Sequence, residues 1–248
     1  MDNLVYTQPV CFARNRRLAG VNLCLPDMSA GTQQPWNLSD ACTEALARLL
    51  PILACGEESA IHVFSNMAAL ESTKSNNGCN RNLISSLALE QIAKDEMRHE
   101  ALIAALRAKL PNVPDQETRR QARRFFSGLG SNDPATHFIR IAALDSAVCQ
   151  IFAPLLASAS PLAAVDEISN TLSRIRADEG RHVRISREYA MAWGATPELI
   201  HAEWLDVRSR LAALLQLVAE DLAILGADPD KLFGRLRHAP DFTAEKKL

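Results

Sequence analysis

Two short stretches of the chain could do chemistry together. Asp95-Glu96-Met97-Arg98-His99 recurs 83 positions later as Asp178-Glu179-Gly180-Arg181-His182. In each copy a Glu precedes a His by three residues, and on a helix such positions share a face. A carboxylate and an imidazole then point the same way, as two ligands of one metal ion must. The pentads close longer matching stretches, Ile92 to His99 and Ile175 to His182. One helix earlier, Glu58-Ser59-Ala60-Ile61 matches Asp145-Ser146-Ala147-Val148. From Glu58 to Glu96 is 38 positions, and from Asp145 to Glu179 is 34. Each half therefore reads as a helix with a carboxylate near its middle, a turn, and a helix with the pentad.

Two Glu-x-x-His helices plus one carboxylate from each of two others form the ligand set of a di-iron or di-manganese four-helix bundle. On that reading the metal ligands are Glu58, Glu96, His99, Asp145, Glu179 and His182. Glu57 is the competitor of Glu58: its helical face carries Leu53, Ala60, Ile61 and Phe64, whereas that of Glu58 carries Ala54, Cys55, Ile61, His62 and Ser65. The repeat register selects Glu58. Asp145 lies between Ile141, Ala142, Val148, Cys149 and Phe152. A bare carboxylate on so apolar a face costs heavily in desolvation, and a metal ion removes that cost. His62, one turn after Glu58, is expected to pack beside the ligands. Tyr189, two turns after His182, is expected in the core.

Oxygen and nitrogen ligands without clustered thiolates suit iron or manganese. Two iron ions are expected, and Fe/Mn or Mn/Mn pairs fit the same ligands. A ligating His usually donates its other N–H to a carboxylate. Asp95, Arg98, Asp178 and Arg181 gain a task from this: each Asp takes the His of the other half, and each Arg holds that Asp. No catalytic residue beyond the ligands is singled out. A single pentad would be ordinary as an exposed, salt-bridged turn; two copies, each preceded by a carboxylate, are hard to account for that way.

The elements that must position these residues are helical. Ser39 or Asp40 caps a helix over about 40–73, with Pro51 expected to kink or break it, and Asn76-Asn77-Gly78 ends it. A second helix covers about 80–110 and stops at Pro111 and Pro114. Asp115 to Phe126 reads as a short amphipathic helix carrying Arg119, Arg120, Arg123 and Arg124. These make a solvated face or, more sharply, a docking patch for an acidic carrier or partner. Asp133-Pro134 and Ser160-Pro161 are start signals for helices to about 158 and to Trp193-Gly194. Thr196-Pro197-Glu198 opens a fifth, running to about Leu225 with Gly226 after it. Residues 1–38 form an irregular N-terminal arm with a basic cluster at Arg14, Arg16 and Arg17, and a short helix and frayed tail close the chain. The expected fold is all-α, one domain over 1–248, with a metal-binding core at 39–194 and an additional helix and tail at 195–248.

Composition fits this. The chain is 48% hydrophobic, 23% charged and only 5% aromatic, a mix that favours helix over sheet. The net charge of −2 excludes a broadly electrostatic nucleic-acid binder. Cys11, Cys24, Cys42, Cys55, Cys79 and Cys149 include no Cys-x-x-Cys pair and read as free thiols. With no signal segment and no apolar run approaching a membrane span, the expectation is a cytoplasmic protein without membrane contact.

A carboxylate followed by Asp-Glu-x-Arg-His, twice over, resembles the O₂-activating branch of the ferritin-like superfamily. That branch includes bacterial multicomponent monooxygenase hydroxylases and the p-aminobenzoate N-oxygenases. The resemblance covers about residues 40–193. It implies a ferritin-like four-helix bundle, iron at the six ligands above, and oxidation of a small-molecule or carrier-bound substrate with O₂ and an external electron donor. A homodimer is expected. Asp145 stands where most members have Glu. Ile175 stands where the N-oxygenases carry an extra ligand His, so amine N-oxygenation is not favoured over C-hydroxylation or desaturation. The alternative is a ferroxidase or iron-handling protein, which would share the ligands but needs only the bundle. A radical-generating subunit is disfavoured because neither Tyr6 nor Tyr189 lies one turn after a motif His.

Overall fold

A computed structural model describes residues 36–75, 86–113 and 115–238. All regular structure among them is helical: α1 (Asp40–Ser75), α2 (Ser86–Arg107), α3 (Gln116–Ser127), α4 (Pro134–Leu155), α5 (Asp166–Ala192), α6 (Pro197–Leu215), α7 (Ala219–Ile224) and α8 (Pro229–Leu236). The N-terminal arm up to 35, the Asn76-Asn77-Gly78 stop and the C-terminal tail lie outside the described residues.

The start signals operate as their chemistry requires. The side chains of Asp115, Asp133, Thr196 and Asp228 each accept a hydrogen bond from a backbone N–H in the first turn of α3, α4, α6 and α8. Such a cap is worth about 1 kcal/mol. Gly194 and Gly226 close α5 and α7 with φ of 86° and 94°, a conformation that side chains resist.

Three expectations are corrected. Pro51 does not break α1, which runs through it as one helix of 36 residues. Ser160-Pro161 starts only a 3-10 turn, Pro161–Ala164, and α5 begins after Val165. The expected fifth helix is interrupted by a second 3-10 turn, Gln216–Val218, before α7.

α1 packs on α2, and α4 on α5; the two pairs meet where α2 crosses α5. Ion pairs order this last contact, Asp95 with Arg181 and Arg98 with Asp178, so α2 and α5 run antiparallel. α6 covers α4, and α3 lies across α1. The larger apolar core joins Leu46, Leu49 and Leu50 of α1 to Phe152 of α4, Leu172 of α5 and Trp204 and Leu211 of α6. A smaller one gathers Phe64, Ile92, Phe138 and Tyr189 at the other side of the polar centre. Tyr189 is wholly buried and stacks on Phe138 at 4.7 Å, the packing role expected of it.

α4 corrects the expectation that no apolar run nears membrane-span length, since it is long and apolar enough to cross a membrane. It is also half buried within the protein and carries buried His137 and Asp145, as a core helix does. That is compatible with a soluble protein. The described thiols, Cys42, Cys55 and Cys149, are free.

Candidate metal centre

The six expected ligand positions are not all brought together. The cluster contains Glu57, Glu96, His99, Asp145, Glu179 and His182, all buried. Glu58 is exposed and takes no part. The reason is helical register: Leu50, Leu53, Glu57, Phe64 and Met67 form the buried stripe of α1, at spacings of three, four and seven. Glu58 is one residue, about 100°, away from that stripe. His62 lies on the same outer side, exposed, and is not beside the ligands. The repeat sets Glu58 against Asp145; the structure pairs Glu57 with it, so the halves differ in spacing by one position more.

Ligand atoms of Glu57, Glu96, His99 and Glu179 lie within 4.8 Å of one another, and so do those of Asp145, Glu179 and His182. The two groups share Glu179. Glu96 joins them as well: its Oε2 is 3.4 Å from His99 Nδ1 and its Oε1 is 2.9 Å from His182 Nδ1. Glu179 does the same, with Oε1 at 3.4 Å from His99 Nδ1 and Oε2 at 3.7 Å from His182 Nδ1. Two carboxylates thus reach both imidazoles. Glu57 stands at the His99 end, with Oε2 at 3.3 Å from Nδ1, and Asp145 at the His182 end.

Both imidazoles turn Nδ1 inward and Nε2 outward. His99 Nε2 lies 3.1 Å from Asp178 and His182 Nε2 lies 3.5 Å from Asp95, each Asp belonging to the other half. Arg98 donates to Asp95 at 2.7 Å and to Asp178 at 2.8 Å. Arg181 reaches Asp178 at 3.0 Å and also pairs with Asp95. This is the crossed arrangement expected for the flanking Asp and Arg residues. Gln91, one turn before Asp95, adds a bond of 2.9 Å that the pentad pattern does not foretell. With Nε2 donating outward, a neutral ring would keep its Nδ1 lone pair for a cation at the centre.

The electrostatics show a centre in which buried carboxylates crowd one another and the two imidazoles. Burial pushes the carboxyls of Glu57 and Asp145 well above their ordinary range, and neighbouring carboxylates push further. Burial opposes charge on the imidazoles too. The surrounding carboxylates nevertheless raise His99 strongly and His182 to about 11. Burial would likewise raise Glu96, yet the imidazoles of His182 and His99 beside it hold it below the carboxylate range. Asp178 is held near 2 against its own burial by His99 and Arg98. Several buried side-chain atoms lack a well-formed hydrogen bond among the described residues, and four of them, Glu57 Oε2, Asp145 Oδ2, His99 Nδ1 and His182 Nδ1, meet at this centre. Leaving such atoms unsatisfied costs about 1–3 kcal/mol each. All four belong to the ligand groups, so a cation at the centre would satisfy them together. The buried Glu/His cluster could hold a metal ion, and its donors are the hard kind that iron and manganese take.

A cavity of about 290 Å³ leads to this centre between α1 and α4. Its walls include Ala60 and Phe64 of α1, Ile141 and Leu144 of α4, and Phe126 at the end of α3; Asp145 forms part of its lining and Glu57 does not. Gly56 lets α3 come close, since a Cβ there would lie 3.2 Å from the Phe126 ring. His137, in the first turn of α4, also lines the cavity, and no motif in the sequence marks it. Burial and then Arg140 hold its pKa down to about 4, so its ring is neutral.

Arg119, Arg120, Arg123 and Arg124 are exposed along one face of α3, where Arg120 pairs with Glu117. No protein-family profile, curated protein or solved structure matches the chain.

Proposed function

We propose that the chain is a ferritin-like, non-haem di-iron oxidase or oxygenase that uses O₂ to oxidise a small organic or carrier-bound substrate. The observation that carries this reading is the double reach of Glu96 and Glu179. Each contacts both His99 and His182 through different oxygens, with Glu57 and Asp145 at opposite ends. Two carboxylates shared between two imidazoles, with one further carboxylate per imidazole, are the donors that a pair of ions requires. When bound, a pair of reduced iron ions supplies electrons to O₂ and the oxidising power that acts on the substrate.

The residues have separable tasks. Asp95 and Asp178 fix the tautomer and orientation of His182 and His99 by accepting from Nε2. Arg98 and Arg181 keep those aspartates ionised and tie α2 to α5. Phe64, 6.3 Å from the His182 ring, and the buried Ile92 and Ile175 limit water around the ligands. The cavity admits substrate at Asp145. A cavity of this size, walled in part by Phe64, Ile141 and Leu144, favours an organic substrate over the ferroxidase alternative, for which no such space is needed. Electrons come from an external donor, and two copies of the chain are expected to associate.

The test is iron reconstitution of the purified protein under reducing conditions. Bound metal near two ions per chain, and O₂ consumption that depends on an added amine, amino acid or acyl compound, are the expected results. No retained iron or manganese would sink the reading, and a large hollow assembly on sizing would favour iron storage.

A further inference from the structure

His137 is about nine-tenths buried, neutral, and not used by the metal centre. The Ser131 backbone N–H donates to its Nδ1 at 3.3 Å. A ring nitrogen that accepts a hydrogen bond carries no proton, so in a neutral imidazole the proton must be on Nε2. Nε2 has no hydrogen-bond partner among the described residues, and it is not one of the side-chain atoms sealed inside the protein. His137 is part of the lining of the cavity that ends at Asp145, and that space is where we place its free donor. The ring is also held still. Arg140, one turn on, bonds the Gly130 carbonyl at 3.2 Å and Glu203 at 2.6 Å, which pins the loop that supplies Ser131. A histidine serving only to cap that loop would need Nδ1 alone.

The remaining walls combine apolar Phe64, Ile141 and Leu144 with polar Ser59, Ser127 and Asn132. An apolar cavity of about 150 Å³ already holds benzene; one of about 290 Å³ holds a substituted ring or a short chain. We propose that His137 Nε2–H is a polar anchor of this cavity, which takes a small, uncharged organic molecule presenting one hydrogen-bond-accepting oxygen to His137. His137 is thus a substrate-positioning residue, and the bound molecule extends from it toward Asp145. The inference rests on reading the cavity as the substrate pocket of the oxidase.

The test needs neither metal nor O₂, so its failure is distinct from failure of the oxidase reading. Two probes of nearly equal shape, acetophenone and α-methylstyrene, differ in having or lacking the acceptor oxygen. Their dissociation constants are measured by NMR titration of the full-length, metal-free chain. In the wild type the ratio of the two constants should favour acetophenone by about five-fold more than in His137→Leu, the worth of one ordinary hydrogen bond. His137→Gln, which keeps an N–H donor, should recover part of the preference. Imidazole ¹⁵N shifts of the wild type give a readout that needs no variant: Nε2 should be protonated, and its signal should move with acetophenone and not with α-methylstyrene. An unchanged ratio in His137→Leu, a proton on Nδ1, or failure of both probes to bind would each overturn the proposal.

Discussion

The α1–α2 half and the α4–α5 half offer the centre the same chemistry through different walls. Each supplies one carboxylate from its first helix and a Glu and a His from its second. In the first half Glu57 closes its end of the cluster and lies outside the cavity lining. In the second, Asp145 is one methylene shorter and lines the cavity. Eight positions before Glu57 stands Leu49, fully buried in the core; eight before Asp145 stands His137, part of the cavity lining. The duplicated part of the molecule is therefore the cluster that could hold a metal ion. The differences lie on one side, where a substrate would enter. A symmetric site needs both halves, while selectivity needs only one of them to change.

The sharpest way to break the symmetry is at a residue both ligand groups share. Glu179→Ala removes a donor from both groups at once. Essentially all iron should be lost after reconstitution and desalting, measured by elemental analysis. Retention of one ion per chain would show that the halves bind independently and that Glu179 belongs to only one.

Next is the acid stability of the second half. Above about pH 6.5 His137 is neutral both folded and unfolded, and contributes nothing to the pH dependence. Between pH 6.5 and its folded value of about 4, the unfolded chain takes up a proton that the folded chain refuses. Stability therefore falls as pH falls through this window, by up to about 3 kcal/mol. His137→Leu gives the second half the residue of the first. Urea unfolding of the metal-free protein should lose that component of its pH slope; identical slopes in both proteins would mean that His137 is not held neutral.

The crossing of the halves is tested by Asp178→Asn. Asp178 belongs to the second half but orients His99 of the first. Loss of such a partner typically weakens metal affinity about 10–100-fold. The weakened ion should be the one on His99, seen as a biphasic metal titration in which only one phase shifts. If the two phases weaken equally, the crossed contacts do not carry separate ions.

Much of this centre is legible without the fold. Glu96, His99, Glu179 and His182 sit on one pattern repeated at helical spacing, and the pattern alone implies a shared face. Asp145 is legible because a carboxylate among Ile141, Ala142 and Phe152 needs a counter-charge to offset its desolvation, and a metal ion supplies one. The partnership of each Asp with the opposite His follows from the chemistry of ligating imidazoles. Glu58 fails because the repeat is carried across a connection of different length, where matching letters do not guarantee matching register. The buried stripe through Leu53 and Phe64 is the better guide, since burial is what the helix must satisfy. His137 is invisible in the sequence because its role depends on Ser131 and on the separation of α1 from α4, neither of which has a sequence signature. Pro51 does not mark a helix end, because α1 continues through it beside the buried Leu49, Leu50 and Ile52.

The difference in wall shape predicts a smaller effect. Asp145→Glu gives the second half the carboxylate of the first and pushes one extra methylene toward the cavity. Iron content should stay near wild type, while acetophenone affinity falls several-fold, in line with about 1 kcal/mol for modest overpacking. The matching exchange in the first half, Glu57→Asp, should leave probe binding unchanged because Glu57 does not line the cavity. Equal effects of the two exchanges would remove the asymmetry between the halves.

The smallest expected effect decides between adjacent residues. Glu58→Gln changes an exposed side chain outside both ligand groups. Surface substitutions of this kind stay within about 0.5 kcal/mol in stability, and iron content should not change. Glu57→Gln should instead lose the ion at the His99 end. The same exchange should leave the metal-free protein no less stable, because burial already raises the Glu57 carboxyl far toward its protonated form. Opposite signs for metal retention and apo stability at Glu57, beside silence at Glu58, are what a buried ligand and its solvent-facing neighbour must give. Iron loss in Glu58→Gln with retention in Glu57→Gln would return the register to that of the repeat, and the α1 stripe would have to be turned by one residue.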